Sequence, residues 1–309
     1  MNPSRPLVVC ILSGLTLLLA ACADPGDEPA SSVENGDEDE LINGTIAADG
    51  DYRPTLLIDN RCTAVKVGAH RLLTAAHCVS GQAGKDYAAG QKLMFHTANA
   101  VNDSNVLALA KYAVIESVRI HPNYDATQKL FDMPDVAVIV VKGDALAGIP
   151  SAVVDLDPVA LGSKLVITGY GCRQVQMGLG TGEHTLSSGT VKSVSVASLK
   201  LYPDALGATI DQNFVISPGP ATQDGVAGVC SGDSGGPAYR TGKSQLTVAA
   251  ITSWTSGATS DGPRVNALAR LHEGSRHSVG EWLSQQKVIL ARPCKDAKRC
   301  TSPVKPPTS

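Results

Sequence analysis

Between residues 41 and 290 the sequence consists of short runs rich in Val, Ile, Leu and Thr, each bounded by Gly, Pro, Asn or Asp, and this punctuation most limits the folds open to it. The runs fall at 64–68, 71–75, 106–116, 136–141, 164–168, 190–196 and 247–254, and each predicts a strand. They show neither a βαβ rhythm nor a fixed-period repeat, which argues against a parallel sheet or a solenoid. The exception is 278–290, where Ser278 and Glu281 have capping-box spacing ahead of Val279, Trp282, Leu283, Gln286, Ile289 and Leu290 at helical intervals. The expected architecture is all-β, closed by a C-terminal helix.

The two ends of the 309-residue chain differ from this middle. Arg5 precedes an apolar run, Leu7 to Ala20, of signal-peptide rather than membrane-span length, and Leu19-Ala20-Ala21-Cys22 resembles a bacterial lipobox. Residues 1–22 therefore predict an exported protein, with lipidation of Cys22 and membrane anchoring without a span. Residues 23–40 hold eight Asp and Glu with no Lys or Arg, a composition that predicts a solvated tether. The whole-chain charge of −3 hides this division, because from Leu41 onward 25 Lys and Arg face 21 Asp and Glu. Neither balance suits a nucleic-acid binder. Residues 291–309 are Pro- and Lys-rich and predict an irregular tail.

Three segments carry chemistry. Thr74-Ala75-Ala76-His77-Cys78 puts an imidazole directly after an apolar strand, and Cys62 is positioned to bridge Cys78 and brace the loop. A lone His is usually structural, so a catalytic role for this one depends on its companions. Asp135 opens the apolar strand 136–141; a carboxylate buried there needs a partner and would orient an imidazole, whereas Asp132 belongs to the preceding turn. Gly228-Val229-Cys230-Ser231-Gly232-Asp233-Ser234-Gly235-Gly236-Pro237 allows a tight loop whose N–H groups converge on one point, as an oxyanion requires. Ser234 is then a nucleophile, with His77 as its base.

Together these segments resemble the trypsin-like (chymotrypsin-fold) serine proteases, over most of 41–290. The resemblance extends to Leu41-Ile42-Asn43-Gly44, His121-Pro122-Asn123-Tyr124, Gly169-Tyr170-Gly171, Ser253-Trp254 and the helix with Trp282, and the order His77, Asp135, Ser234 is the family's. It implies two six-stranded antiparallel β-barrels with a C-terminal helix, and an endopeptidase with catalytic His77, Asp135 and Ser234. The N–H groups of Gly232 and Ser234 would form the oxyanion hole. Ser253, Trp254 and Thr255 would bind the substrate backbone, and Gly228 would floor the primary pocket. Asp233 would pair with the ammonium created by cleavage at Glu40–Leu41, a bond with no Lys or Arg before it. A catalytically dead binding relative and an esterase share this scaffold, but the triad is complete and the peptide-binding Ser-Trp strand is retained.

Where the sequence departs from the family, it gives further expectations. Gly228 in place of an acid excludes a preference for Lys or Arg and suits small or medium uncharged side chains. Thr255 hints at a narrowed pocket mouth, and Arg264 on the pocket wall is the alternative, pairing with an acidic substrate side chain. Cys230 lacks its usual partner beyond the Ser-Trp strand, so Cys172–Cys230 is expected, with Cys294–Cys300 closing a small C-terminal loop. The seven His are scattered and residues 90–99 lack an acidic pair, so no metal or cofactor is expected. The expected partners are protein or peptide substrates, met by a monomer.

Overall fold

A computed structural model describes residues 41–292 except 82–85, 98, 103, 129, 172–183 and 257–263. The signal, the tether, Cys22, Glu40, Cys172, Cys294, Cys300 and the tail beyond 292 lie outside the described residues.

Two antiparallel sheets follow each other along the chain. The first comprises β1 (Thr55–Ile58), β2 (Cys62–Gly68), β3 (Arg71–Thr74), β4 (Lys92–His96), β5 (Lys111–Ile120) and β6 (Ala137–Val141), closed into a barrel in the order β1-β2-β3-β6-β5-β4. The second is built on β7 (Lys164–Gly169), β8 (Ser187–Lys192), β9 (Phe214–Pro218), β10 (Pro237–Arg240), β11 (Thr247–Ser256) and β12 (Val265–Arg270), in the order β8-β7-β10-β11-β12-β9. It curls until Val194, just past β8, bridges Ile216 of β9. Register shifts in the β2–β3, β5–β6, β10–β11 and β11–β12 pairs mark the irregularities that let such sheets bend.

Leu56, Val65, Leu72, Phe95 and Ile139 are fully buried in the first barrel; Leu165, Val215, Ala250 and Leu268 form part of the second core. Lys66 is buried in β2, and its ammonium donates to Leu146 O (2.8 Å) and Ile149 O (2.6 Å). Carbonyls thus stand in for water around a charge that has left it.

The expected strand at 106–116 divides. Val106–Leu109 is a single helical turn with no buried residue, and β5 begins at Lys111. Asn102 and Asn105 cause this: Asn102 Oδ1 accepts from the N–H groups of Ser104 and Asn105, and Asn105 Oδ1 from Asn102 N, so the side chains hold a turn. The expected strand at 190–196 is shifted to Ser187–Lys192, and Val196–Leu199 is helical behind a Ser195 cap. The helix Asp204–Asn213 escaped the sequence reading because Gly207 breaks its pattern; its signals are Pro203 before it, Asp204 in its first turn, and burial at Gly207, Ile210 and Asn213.

The terminal helix is shorter than expected, Val279–Gln285. Beyond it the chain is captured by sheet partners: Ile289 N donates to Val67 O and Leu290 bridges Val154. The expected capping box is also corrected. Ser278 has φ 56° and its side chain caps nothing; Ser275 Oγ accepts from Val279 N at 2.9 Å, and Glu281 Oε1 reaches Gly274 N at 3.0 Å. Ser275→Ala is therefore expected to lower stability by about 1 kcal/mol, and Ser278→Ala by much less. Chemical denaturation of both variants checks this order.

Candidate active site

The strand pairing of β3 with β6 brings the first two site residues together. Thr74 lies opposite Ala137 in an antiparallel ladder, so residues after 74 and before 137 leave the barrel at the same end. His77 follows on a 3-10 turn, Ala76–Cys78, and Asp135 stands two residues ahead of Ala137. The Cys62–Cys78 disulfide ties this turn to β2, as expected.

Asp135 has no solvent exposure. Its Oδ1 accepts from His77 N (2.9 Å), and its Oδ2 accepts from His77 Nδ1 (2.6 Å) and Ser253 Oγ (2.6 Å). An ionised carboxylate only accepts, so Nδ1 carries the proton and the Nε2 lone pair is left to act as a base. Burial opposes charge on both groups, but the opposite charge and the hydrogen bonds between them outweigh it. His77 is held above the ordinary imidazole value of 6.5, and Asp135 below the ordinary carboxylate value of 3.8.

Ser253 sits on β11, in the second sheet, at the register shift between Thr252 and Trp254. Its hydroxyl is committed to Asp135, a partner with no local signal in the sequence; the expected pairing with substrate concerns its backbone. Trp254 is wedged between Phe131 and Phe214, with ring centroids 5.0 and 5.4 Å away, and Thr255 is exposed. From Trp254 to Ser256 the strand pairs with β12 on one edge, whereas its pairing with β10 ends at Ile251. Among the described residues, that second edge is open to an extended chain.

The Gly-rich loop is pinned to the first barrel by a residue the sequence reading missed. Thr63 N donates to Ser234 O (2.8 Å), its Oγ1 donates to Gly232 O (2.7 Å), and the same oxygen accepts from Tyr170 N (3.2 Å). A single Thr inside an apolar strand carries no motif; adjacency to Cys62 was the only signal. Gly232 has φ 105° and Gly235 φ 82°, and a Cβ on Gly235 would strike Thr74 Oγ1 and Thr63 O. Within the loop, the N–H groups of Asp233, Gly235 and Gly236 are used by Cys230 O, Thr252 O and Asp233 O. Among the described residues, those of Gly232 and Ser234 have no acceptor. Two free donors beside a hydroxyl are what a developing oxyanion needs.

Cys78 Sγ links the two halves, 3.7 Å from His77 Nε2 and 3.5 Å from Ser234 O. These are contacts rather than hydrogen bonds, since a disulfide sulfur carries no proton. Cys62, His77 and Cys78 also cluster as a metal site would, but oxidation leaves no thiolate to bind one. No hydrogen bond joins Ser234 Oγ to His77 Nε2, a contact that often tightens only when substrate arrives.

The model for the family described as Trypsin matches residues 42–272, most of the chain. The chain belongs to the trypsin family. No individual curated protein matches it. As a member of this family it is a serine protease, and its substrates are proteins or peptides.

Four other expected residues, Leu41, Gly228, Cys230 and Asp233, lie in or beside the loop. Asp233 is fully buried and accepts from Gly171 N and Cys230 N, each at 2.8 Å. Leu41 is fully buried against Val159, Leu165 and Val229, and Ile42 bridges Gly228, whose N–H donates to Ile42 O at 2.8 Å. Cys230 is disulfide-bonded, and the expected partner, Cys172, lies outside the described residues. Asn266, also missed by the sequence reading, is fully buried; its Oδ1 accepts from Val229 N (2.9 Å) and its Nδ2 donates to Ala227 O (2.8 Å).

Only neutral His77 can take a proton, so the acidic limb of kcat/KM is expected above pH 6.5, with the rate rising as pH increases through it. The stability this pair adds follows the same shifts. The His77 contribution is complete below 6.5 and fades as pH climbs through its folded value; the Asp135 contribution is complete above 3.8 and fades as pH falls. Asp135→Asn should lower kcat about 10⁴-fold, the effect known for the prototype of this family, and shift the acidic limb downward. pH–rate profiles check both. Thr63→Val should leave Gly232 O and Tyr170 N without their side-chain partner, costing about 1–3 kcal/mol in denaturant unfolding and lowering kcat more than it changes KM.

Proposed function

We propose that the chain is an exported serine endopeptidase, made as a precursor and switched on by cleavage of Glu40–Leu41. The observation that carries this reading is the pair of free N–H groups, on Gly232 and Ser234, set in the loop that also holds the Ser234 hydroxyl. Ser234 attacks the scissile carbonyl, His77 takes its proton and later passes it to the leaving amine, and Asp135 orients His77 and stabilises its charged form. The oxyanion forms against the two N–H groups, where loss of one such donor typically costs about 10²–10³ in rate. Substrate adds as an extended strand along Ser253 to Thr255.

Activation fits the burial of Leu41 and Asp233 and the Ile42–Gly228 bridge, because residues 41 and 42 lie beside the segment that leads into the oxyanion loop. A free ammonium on Leu41 would face Asp233, the role the family gives these residues. Gly228 brings no carboxylate to the pocket, so cleavage after Lys or Arg is not expected; uncharged or acidic side chains suit it. The Cys172–Cys230 and Cys294–Cys300 bridges, the signal peptide of residues 1–22 and lipidation of Cys22 complete a cell-envelope enzyme, working as a monomer without metal or cofactor.

A fluorophosphonate probe tests the core of this reading. Wild-type protein cleaved at Glu40–Leu41 is expected to be labelled at Ser234, the uncleaved chain far more weakly, and Ser234→Ala not at all. Labelling that survives Ser234→Ala overturns the assignment.

A further inference from the structure

Arg264 has no hydrogen-bond or ion-pair partner for its guanidinium among the described residues, although its backbone is held on both sides. Its N–H donates to Ser256 O at 2.9 Å, and its carbonyl accepts from Gly219 N and Thr222 Oγ1, each at 2.8 Å. The ladder of β12 therefore continues through Arg264 between β11 and the residues after β9.

The strand alternation fixes the face from which this side chain leaves. Val265, Ala267 and Ala269 pack in one core, whereas Leu268 packs in another with Ala227 and Val229. Asn266 shares the Leu268 side, and its carboxamide grips Ala227 O and Val229 N. Arg264, two residues before Asn266, lies on that same face, because side chains two apart on a strand point the same way. The face looks onto the segment around Gly228, which supplies no side chain of its own. Thr255, opposite Asn266 in the ladder, is exposed on the strand whose free edge would take the substrate. Arg264 is exposed, so a substrate side chain entering between that strand and residues 226–230 would find its guanidinium reachable and its donors free.

We propose that Arg264 is a specificity-determining residue that selects Asp or Glu immediately before the scissile bond. The proposal rests on the peptidase reading above and names its substrate class. The guanidinium fork matches a carboxylate with two parallel hydrogen bonds, and docking of the substrate removes water from the pair. The same preference makes the precursor a substrate of the mature enzyme. Glu40 precedes Leu41 and is itself preceded by Asp37, Glu38 and Asp39. In that reaction Ser234 Oγ bonds to the Glu40 carbonyl carbon, its proton travels through His77 to the Leu41 nitrogen, and the Glu40–Leu41 bond breaks. Water then hydrolyses the Glu40 acyl ester and restores Ser234.

A mixed peptide library, profiled with mature wild type, Arg264→Ala, Arg264→Lys and Arg264→Glu, tests the assignment. Each enzyme is scored by its own ratio of cleavage after Asp or Glu to cleavage after Ala, which corrects for loss of folded protein. Wild type is expected to favour the acids, with the ratio dropping at least about tenfold in Arg264→Ala, partly restored in Arg264→Lys and lowest in Arg264→Glu. Added salt should slow the acidic substrates selectively. In parallel, Ser234→Ala precursor should be cut after Glu40 by wild type and not by Arg264→Ala. No acidic preference in wild type, or an unchanged ratio in Arg264→Ala, overturns the role of Arg264 while leaving the peptidase reading intact. Failure of the fluorophosphonate to label wild type overturns both.

Discussion

A fully buried carboxylate stands at the centre of this molecule. Asp135 can stay ionised only if its lost hydration is replaced, and the replacement comes from two separate sheets: His77 from the end of β3, and Ser253 from a strand of the second sheet. Removing either neighbour leaves the charge short of donors in a medium where that is costly. The ion pair thus holds the imidazole in one tautomer and, through Ser253, fixes the first barrel against the strand proposed to take substrate.

Thr63 answers the same need from the opposite direction. Its backbone and hydroxyl tie the carbonyls of Gly232 and Ser234 to the first barrel. The loop is thereby held in a conformation in which, among the described residues, the N–H groups of Gly232 and Ser234 have no acceptor. In a loop this rich in glycine the backbone has many alternatives, and external hydrogen bonds choose among them. Such a loop contributes preorganised donors only because the barrel beside it has already paid the entropy of ordering it.

Much of the site was legible because its chemistry needs rare residue types in rare settings. A His joined to a Cys after an apolar strand, an Asp at the mouth of another, and Asp-Ser within four glycines each stand out in the sequence, as does the Cys62–Cys78 pair. Thr63 and Asn266 were not, because each acts through contacts with residues far away in sequence and sits in a strand where Thr or Asn has no local signature. The contact of the Ser253 hydroxyl with Asp135 was missed for the same reason. The Ser253 strand was readable, but the direction of its hydroxyl depends on a register shift that no local pattern marks.

The elements divide along the same line. Short β-branched runs between turn residues determined an antiparallel β protein, and the order of three motifs determined its family. Local competition determined the rest only once neighbours were present: Asn102 and Asn105 turn the start of one expected strand into a helical turn, and Val67 and Val154 draw the end of the last helix into sheet pairing. Which N–H groups of the Gly-rich loop stay free was decided by tertiary structure alone. That turns on the hydrogen bonds the loop makes with β2 and β11 across the fold, and sequence spacing carries no record of them.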